Sequence, residues 1–293
     1  MPVNSSRFFV LFLVLASTLL LGACAGQKLS NPLSALNEQA PNSVSLHTLE
    51  NDEFSVHYAK TGNSMGNMVV FLHGTSGNWQ SYQSLLANTE LLEKFTLIAV
   101  DRLGWGNSYS KNDHTGFAIQ SRAIAAVIRQ ENMLSNKSQP AILVGHSLGA
   151  SIAPKVAVDY PKLVAGLLLV AGALDPELSK PRWYNRLAQF KLVNVFVPGR
   201  VLRSNTEVLS LPKELSQFSE QFSELSVPVT IIQGAKDGLV NPGNIEFARK
   251  NLRHLGNDLE LIKMPDAGHF VLWENPGVVS AALLRLSAKH KKQ

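Results

Sequence analysis

The 293-residue sequence predicts an α/β fold: a mostly parallel sheet of eight strands with helices on both faces. Three observations lead there. From residue 44 onward, short runs rich in β-branched residues alternate with stretches of helical apolar period. Runs such as Ala141-Ile142-Leu143-Val144 are apolar throughout, as strands covered on both sides require. The composition, 45% apolar and 17% charged, is that of an ordinary globular protein and argues against disorder, collagen or a polytopic membrane protein.

Taken in order, the predicted strands are Val44–Leu49, Phe54–Lys60, Met68–Leu72, Phe95–Val100, Ala141–Val144, Leu163–Val170, Val229–Gln233 and Leu259–Met264. Helical spacing falls on Trp79–Leu92, Phe117–Gln130, Leu148–Val158, Ile245–Leu252 and Val278–Leu286. The alternation fails once. Residues 176–226 carry no convincing strand but several helical fragments, with Trp183, Leu187 and Phe190 at a spacing that reads as packing.

The N-terminus is different in kind. Phe8 to Leu21 is free of charge, follows a short segment containing Arg7, is too short to span a bilayer comfortably and ends in small residues; residues 1–23 therefore read as an export signal. Leu21-Gly22-Ala23-Cys24 holds the only cysteine of the chain and resembles a bacterial lipobox. That resemblance implies diacylglycerol on Cys24, removal of the preceding peptide and a mature protein anchored in a membrane, the outer membrane facing the periplasm if the source is Gram-negative. A single cysteine leaves an exported fold without an internal disulfide. Residues 24–43, polar and without period, read as a tether with a mean reach of about 25 Å.

Charge excludes one class of partner. The net charge of +5 falls to +4 once Arg7 is removed with the leader, and the one dense basic patch is Lys289-His290-Lys291-Lys292 at the end, so no nucleic acid is expected.

The chemistry is concentrated in a few segments. The strand ending at Val144 runs into Gly145-His146-Ser147-Leu148-Gly149 and then a helix, the G-x-S-x-G turn in the setting that makes it a nucleophile elbow. A serine hydroxyl needs a base and a group that orients the base. His269, in Asp266-Ala267-Gly268-His269-Phe270 just after the last predicted strand, is placed to return to Ser147. His47 and His57 lie in N-terminal strands, His114 and His254 in polar connections, His290 in the tail, and His73 and His146 in backbone motifs. Asp237, after the strand Val229–Gln233, gives the order Ser, Asp, His on successive loops; Asp175 is its rival, and Asp266 is too near His269 in sequence to face it well. For an oxyanion, Leu148 N–H supplies one donor and the loop His73-Gly74-Thr75 the other, through Thr75 N–H.

With these pieces the chain resembles the α/β-hydrolase superfamily over nearly all of residues 44–287. Asp101-Arg102-Leu103-Gly104-Trp105-Gly106-Asn107-Ser108 is similar to its D-R-x-G-x-G-x-S loop, Tyr160-Pro161 to its helix end, and Gly268-His269 through Glu274-Asn275-Pro276 to its histidine loop. The resemblance implies a core in two parts, 44–175 and 227–293, with a helical lid at 176–226, a small-molecule acyl substrate and no cofactor or metal. A serine at the elbow argues against the dehalogenase and epoxide hydrolase branches, which use aspartate there. It leaves esterases and lipases, carbon–carbon bond hydrolases, perhydrolases, acyltransferases and, in another class, a non-catalytic binding module. Two departures stand out: Ala150 replaces a frequent glycine, and Pro154 lies inside the predicted elbow helix, where it should remove a backbone bond and bend the helix.

Overall fold

The computed structural model describes residues 44–111, 114–190, 195 and 197–290. The expected leader, tether and lipid-bearing Cys24 lie outside the described residues, as does the end of the basic tail.

Nine strands form one sheet among the described residues: β1 (Ser45–Glu50), β2 (Phe54–Gly62), β3 (Asn67–Leu72), β4 (Phe95–Val100), β5 (Tyr109–Ser110), β6 (Ala141–His146), β7 (Val164–Val170), β8 (Val229–Gly234) and β9 (Leu259–Met264). Their order is β1-β2-β4-β3-β6-β7-β8-β9, with β5 on β2. Pairing is antiparallel from β1 through β2 to β4 and parallel from β4 to β9. Every residue of β4, β6, β7 and β8 is buried, whereas the edge strands β1 and β9 are largely half-buried or exposed. The unbroken apolar runs are thus strands with a core on each face. Val70, Leu72, Val100, Leu143 and Leu167 point into one core and Val69, Phe71, Ala99, Val144 and Leu168 into the other, as the two-residue period of a strand dictates. Each Val, Leu or Phe among them contributes about 1.5–3 kcal/mol through its removal from water, and Ala99 less.

The first core is closed by the helix Phe117–Leu134 and the elbow helix Leu148–Asp159, the second by the segment around Trp79–Lys94 and the C-terminal helix Pro276–His290. In that last helix Val279, Ala282, Leu283 and Leu286 are buried at the spacing of one helical face.

Three expectations are corrected. The single helix expected over Trp79–Leu92 is a 3-10 turn, Trp79–Tyr82, followed by two short helices, Gln83–Leu86 and Thr89–Lys94. The cause is Asn88, whose backbone is extended and whose side chain accepts a bond from Leu91 N–H at 3.0 Å, opening a new helix where the old one would have continued. The additional strand β5 has only two residues, too few to show a period. The stripe of Trp183, Leu187 and Phe190, expected to pack, faces outward at 64%, 41% and 62% exposure. Asn185 takes the inward position of that short helix, Trp183–Leu187, and exchanges hydrogen bonds with Asn205, both at 2.8 Å. The elbow helix, for its part, continues unbroken through Pro154.

Between β7 and β8 the chain forms the Trp183–Leu187 helix, a long helix Gly199–Phe218 and a 3-10 turn Ser219–Glu224. Leu215, Phe218 and Phe222 join the first core. The remainder of the long helix lies over the carboxyl ends of the parallel strands, to which its polar side chains bond as described below.

Candidate active site

The elbow places Ser147 at the carboxyl end of β6. Its φ of 53° and ψ of −120° lie in a region that non-glycine residues rarely enter, and its N–H is bonded to the Val170 carbonyl at 2.9 Å. A tight turn of this kind leaves no room beside it. A Cβ on Gly149 would stand 1.9 Å from the Leu72 carbonyl oxygen and one on Gly145 2.5 Å from the Gly149 oxygen, which is why both positions are glycine. From Ala141 to Pro154 only Ser147 is not buried.

His269 and Asp237 arrive on the loops after β9 and β8. His269 Nδ1–H donates to Asp237 Oδ2 at 2.8 Å, which leaves Nε2 free to take a proton. Asp237 is itself held: Oδ1 accepts from the N–H groups of Leu239 at 2.9 Å and Val240 at 2.8 Å, and Oδ2 accepts from Gln233 Nε2 at 3.2 Å. Burial alone would raise the Asp237 carboxyl, but the bond and charge of His269 and the two amides outweigh it and hold it below the usual carboxylate range. Asp175 is engaged elsewhere, capping Glu177 N–H at 2.8 Å, and Asp266 pairs with Lys236 in solvent. Ser147 Oγ and His269 make no hydrogen bond in this structure. Their loops nonetheless meet, because His146 lies against the His269 ring at 4.9 Å between centroids and donates Nε2–H to the His269 carbonyl at 3.1 Å. Burial, then the charge of His269, pushes His146 down to about 3, so it stays a neutral spacer.

The loop after β3 passes directly over the elbow: a Cβ on Gly74 would meet Ser147 Cβ at 2.9 Å. His73 stiffens it. Its Nδ1–H donates to the Gly74 carbonyl at 2.6 Å and its Nε2 accepts the Arg102 N–H at 2.9 Å, a neutral ring that burial and the Arg102 charge hold well below the ordinary histidine value. Among the described residues neither Thr75 N–H nor Leu148 N–H bonds to a backbone carbonyl. Two free donors beside a serine are what an oxyanion requires.

One residue escaped the sequence reading. Glu207, on the Gly199–Phe218 helix, is 1% exposed and accepts from Arg102 Nη1 at 2.9 Å, Arg102 Nη2 at 3.2 Å, Trp105 Nε1 at 3.0 Å and the Thr75 hydroxyl. Burial would raise its carboxyl; the Arg102 charge and these bonds bring it below the usual range. The only sequence signal was the D-R-x-G-x-G-x-S loop, whose arginine is 1% exposed and needs an anionic partner.

A doubly covered parallel sheet with a strained serine turn, a His–Asp pair and an amide-bearing loop at one edge defines a hydrolase of the α/β type. The chain belongs to the alpha/beta hydrolase family, whose sequence profile matches residues 69–282. Epoxide hydrolase 3 of Mus musculus is 24% identical over 311 residues, spanning 87% of this chain and 81% of its own length. Lipase 1 of Psychrobacter immobilis is 23% identical over 251 residues, spanning 74% of this chain and 75% of its own. Among solved structures, the thioesterase domain from the curacin biosynthetic pathway superposes with a TM-score of 0.63 over 83% of this chain and all of its own, at 20% identity, a likeness of fold.

Proposed function

We propose that this enzyme is a lipid-anchored serine hydrolase that cleaves a carboxylic ester or related acyl bond. Ser147 Oγ attacks the acyl carbon while His269 Nε2 takes its proton; Asp237 orients the ring and offsets the imidazolium charge. The oxyanion accepts from Thr75 N–H and Leu148 N–H. His269 then protonates the leaving group, and water repeats the sequence on the acyl-enzyme. The observation that carries this reading is the 2.8 Å bond from His269 Nδ1 to an aspartate already fixed by two amides, on a histidine that packs against His146, the neighbour of a serine in a strained turn. Serine in place of aspartate at the elbow favours an acyl-enzyme over the epoxide hydrolase route, despite the similarity to the mouse protein.

The test is stoichiometric labelling by a fluorophosphonate. Wild-type protein is expected to take up one equivalent on Ser147, and the Ser147→Ala variant none. Folded wild-type protein that stays unlabelled overturns the enzyme reading in favour of a binding module.

The anchor is tested separately. Cells expressing the wild type should incorporate labelled palmitate into this protein, and Cys24→Ser should abolish both incorporation and leader removal. A wild type that is released unacylated refutes the anchor and leaves the hydrolase untouched.

A further inference from the structure

Glu207 belongs to the insertion, yet its four side-chain bonds go to the loop after β3, which crosses Ser147, and to the loop after β4, whose Arg102 is bonded to His73 of the first. Removing a carboxylate from water costs several kcal/mol unless strong donors replace the water, and a helix that merely covered the core would have used a leucine here. The donors are specific. Through Arg102, whose Nε donates to the His73 carbonyl at 2.7 Å, Glu207 grips one end of the loop 73–76; through the Thr75 hydroxyl it grips the middle. One and two helical turns earlier on the same face, Ser204 meets the Ser76 hydroxyl and Arg200 donates to the Ser76 carbonyl. The residue so held, Thr75, is the one whose amide is to face the oxyanion, and Ser76 next to it sits at a φ of 63°, which its surroundings must enforce.

We infer that Glu207 is a positioning residue: it fixes the Thr75 peptide plane so that the Thr75 N–H points at the oxyanion, which makes the insertion part of the active site. This rests on the reading of Ser147, Thr75 and Leu148 given above. A donor placed an ångström off its target costs one to two orders of magnitude in rate while leaving ground-state binding nearly intact. The inference therefore predicts a loss in kcat without a matching change in KM, a split that loosened packing alone does not produce.

The experiment uses the full chain with a short-chain aryl ester, and phenylboronic acid as a probe that forms a tetrahedral adduct on serine. Thr75→Val removes one hydroxyl but leaves the amide and the Arg102–Glu207 pair in place. It should lower kcat about ten- to hundredfold, leave KM within about twofold and weaken phenylboronate inhibition by a factor close to the loss in kcat. Glu207→Gln should do the same, and the double variant should be no worse than the poorer single, because both break one linkage. Thr206→Ala, on the exposed side of the same helix, should change nothing. Where Glu207→Gln does not fold, Thr75→Val decides alone. Folded variants with wild-type kcat, or losses that multiply in the double, overturn the inference while an active wild type keeps the hydrolase reading; a wild type that neither labels nor turns over takes both down.

Discussion

Among the described residues are two buried histidine–aspartate pairs that are nearly the same object. His269 Nδ1 lies 2.8 Å from Asp237 Oδ2 and His57 Nδ1 lies 2.9 Å from Asp101 Oδ2. Both histidines are buried, and both aspartates accept two further backbone N–H groups, those of Leu239 and Val240 in one case and of Trp79 and Asn107 in the other. Even their distance across the sheet is matched, since β2 and β9 each stand three places from the elbow strand β6. The difference is where the histidine sits. His57 is inside a strand, so the pleat fixes its side chain on one face of the sheet. His269 is on a loop past the end of β9 and is carried back until its carbonyl rests on His146, beside Ser147. A His–Asp pair is thus a structural joint as readily as a catalytic one, and position relative to the nucleophile decides which.

Substitutions in the two pairs should separate the roles. The largest effect is expected at the reacting atoms: Ser147→Ala or His269→Ala should lower turnover of a short-chain aryl ester by about 10⁴-fold or more, whereas His57→Ala in folded protein should stay within a few-fold of wild type. An equal loss at His57 would break the comparison.

Next in size are the acids. Asp237→Asn should cost about 10³-fold by spoiling the His269 tautomer, and Asp175→Asn should be nearly silent. Asp101→Asn should leave the rate of folded enzyme near normal but lower stability by about 1–3 kcal/mol, read as a fall in the urea midpoint, because three donors lose their anionic acceptor. A kinetic loss at Asp101 as large as at Asp237 would refute the division.

The smallest effect is graded with pH. His146, pushed down to about 3, and His73, well below its ordinary value, are neutral when folded and charge when unfolded. Below pH about 6.5 the unfolded chain therefore binds more protons, and stability should drop by up to about 1.4 kcal/mol per pH unit for each, the His146 share ending near its folded value. Asp237 and Glu207, held below the carboxylate range, contribute stability that is fully present above their unfolded values, 3.8 for the aspartate and 4.5 for the glutamate, and is lost as pH falls through their folded values. Urea melts at pH 7, 6, 5 and 4 test the sign. His146→Asn should flatten the slope between 6 and 4, and a wild-type curve flat over that interval would be incompatible with two buried neutral histidines.

What the sequence made legible follows from how local each constraint is. The central strands β4, β6, β7 and β8 could be read from their residues because a strand covered on both faces needs apolar side chains throughout, and the edge strands from their β-branched runs between turn signals. The elbow could be read because Gly149 has no substitute where the backbone closes on Leu72, nor Gly145 where it closes on Gly149 and Ala150. That His269 and Asp237 meet followed from loop order. Glu207 could not be read: on a polar helix it looks like any solvated glutamate, and its partners Arg102 and Thr75 are 105 and 132 residues away. Nor could the outward stripe of Trp183, Leu187 and Phe190, whose spacing says that the three share a face but not which way it looks.

Ala150, one of the two departures from the family pattern, has its counterpart across the elbow. A Cβ on Gly172 would come within 2.7 Å of Ala150 Cβ, so the gap between the start of the elbow helix and the end of β7 holds one methyl and not two. The two positions are therefore reciprocal: a methyl at 172 presses on the one at 150, and a chain with glycine at 150 would have room for alanine at 172, so the methyl can sit on either side of the gap but not on both.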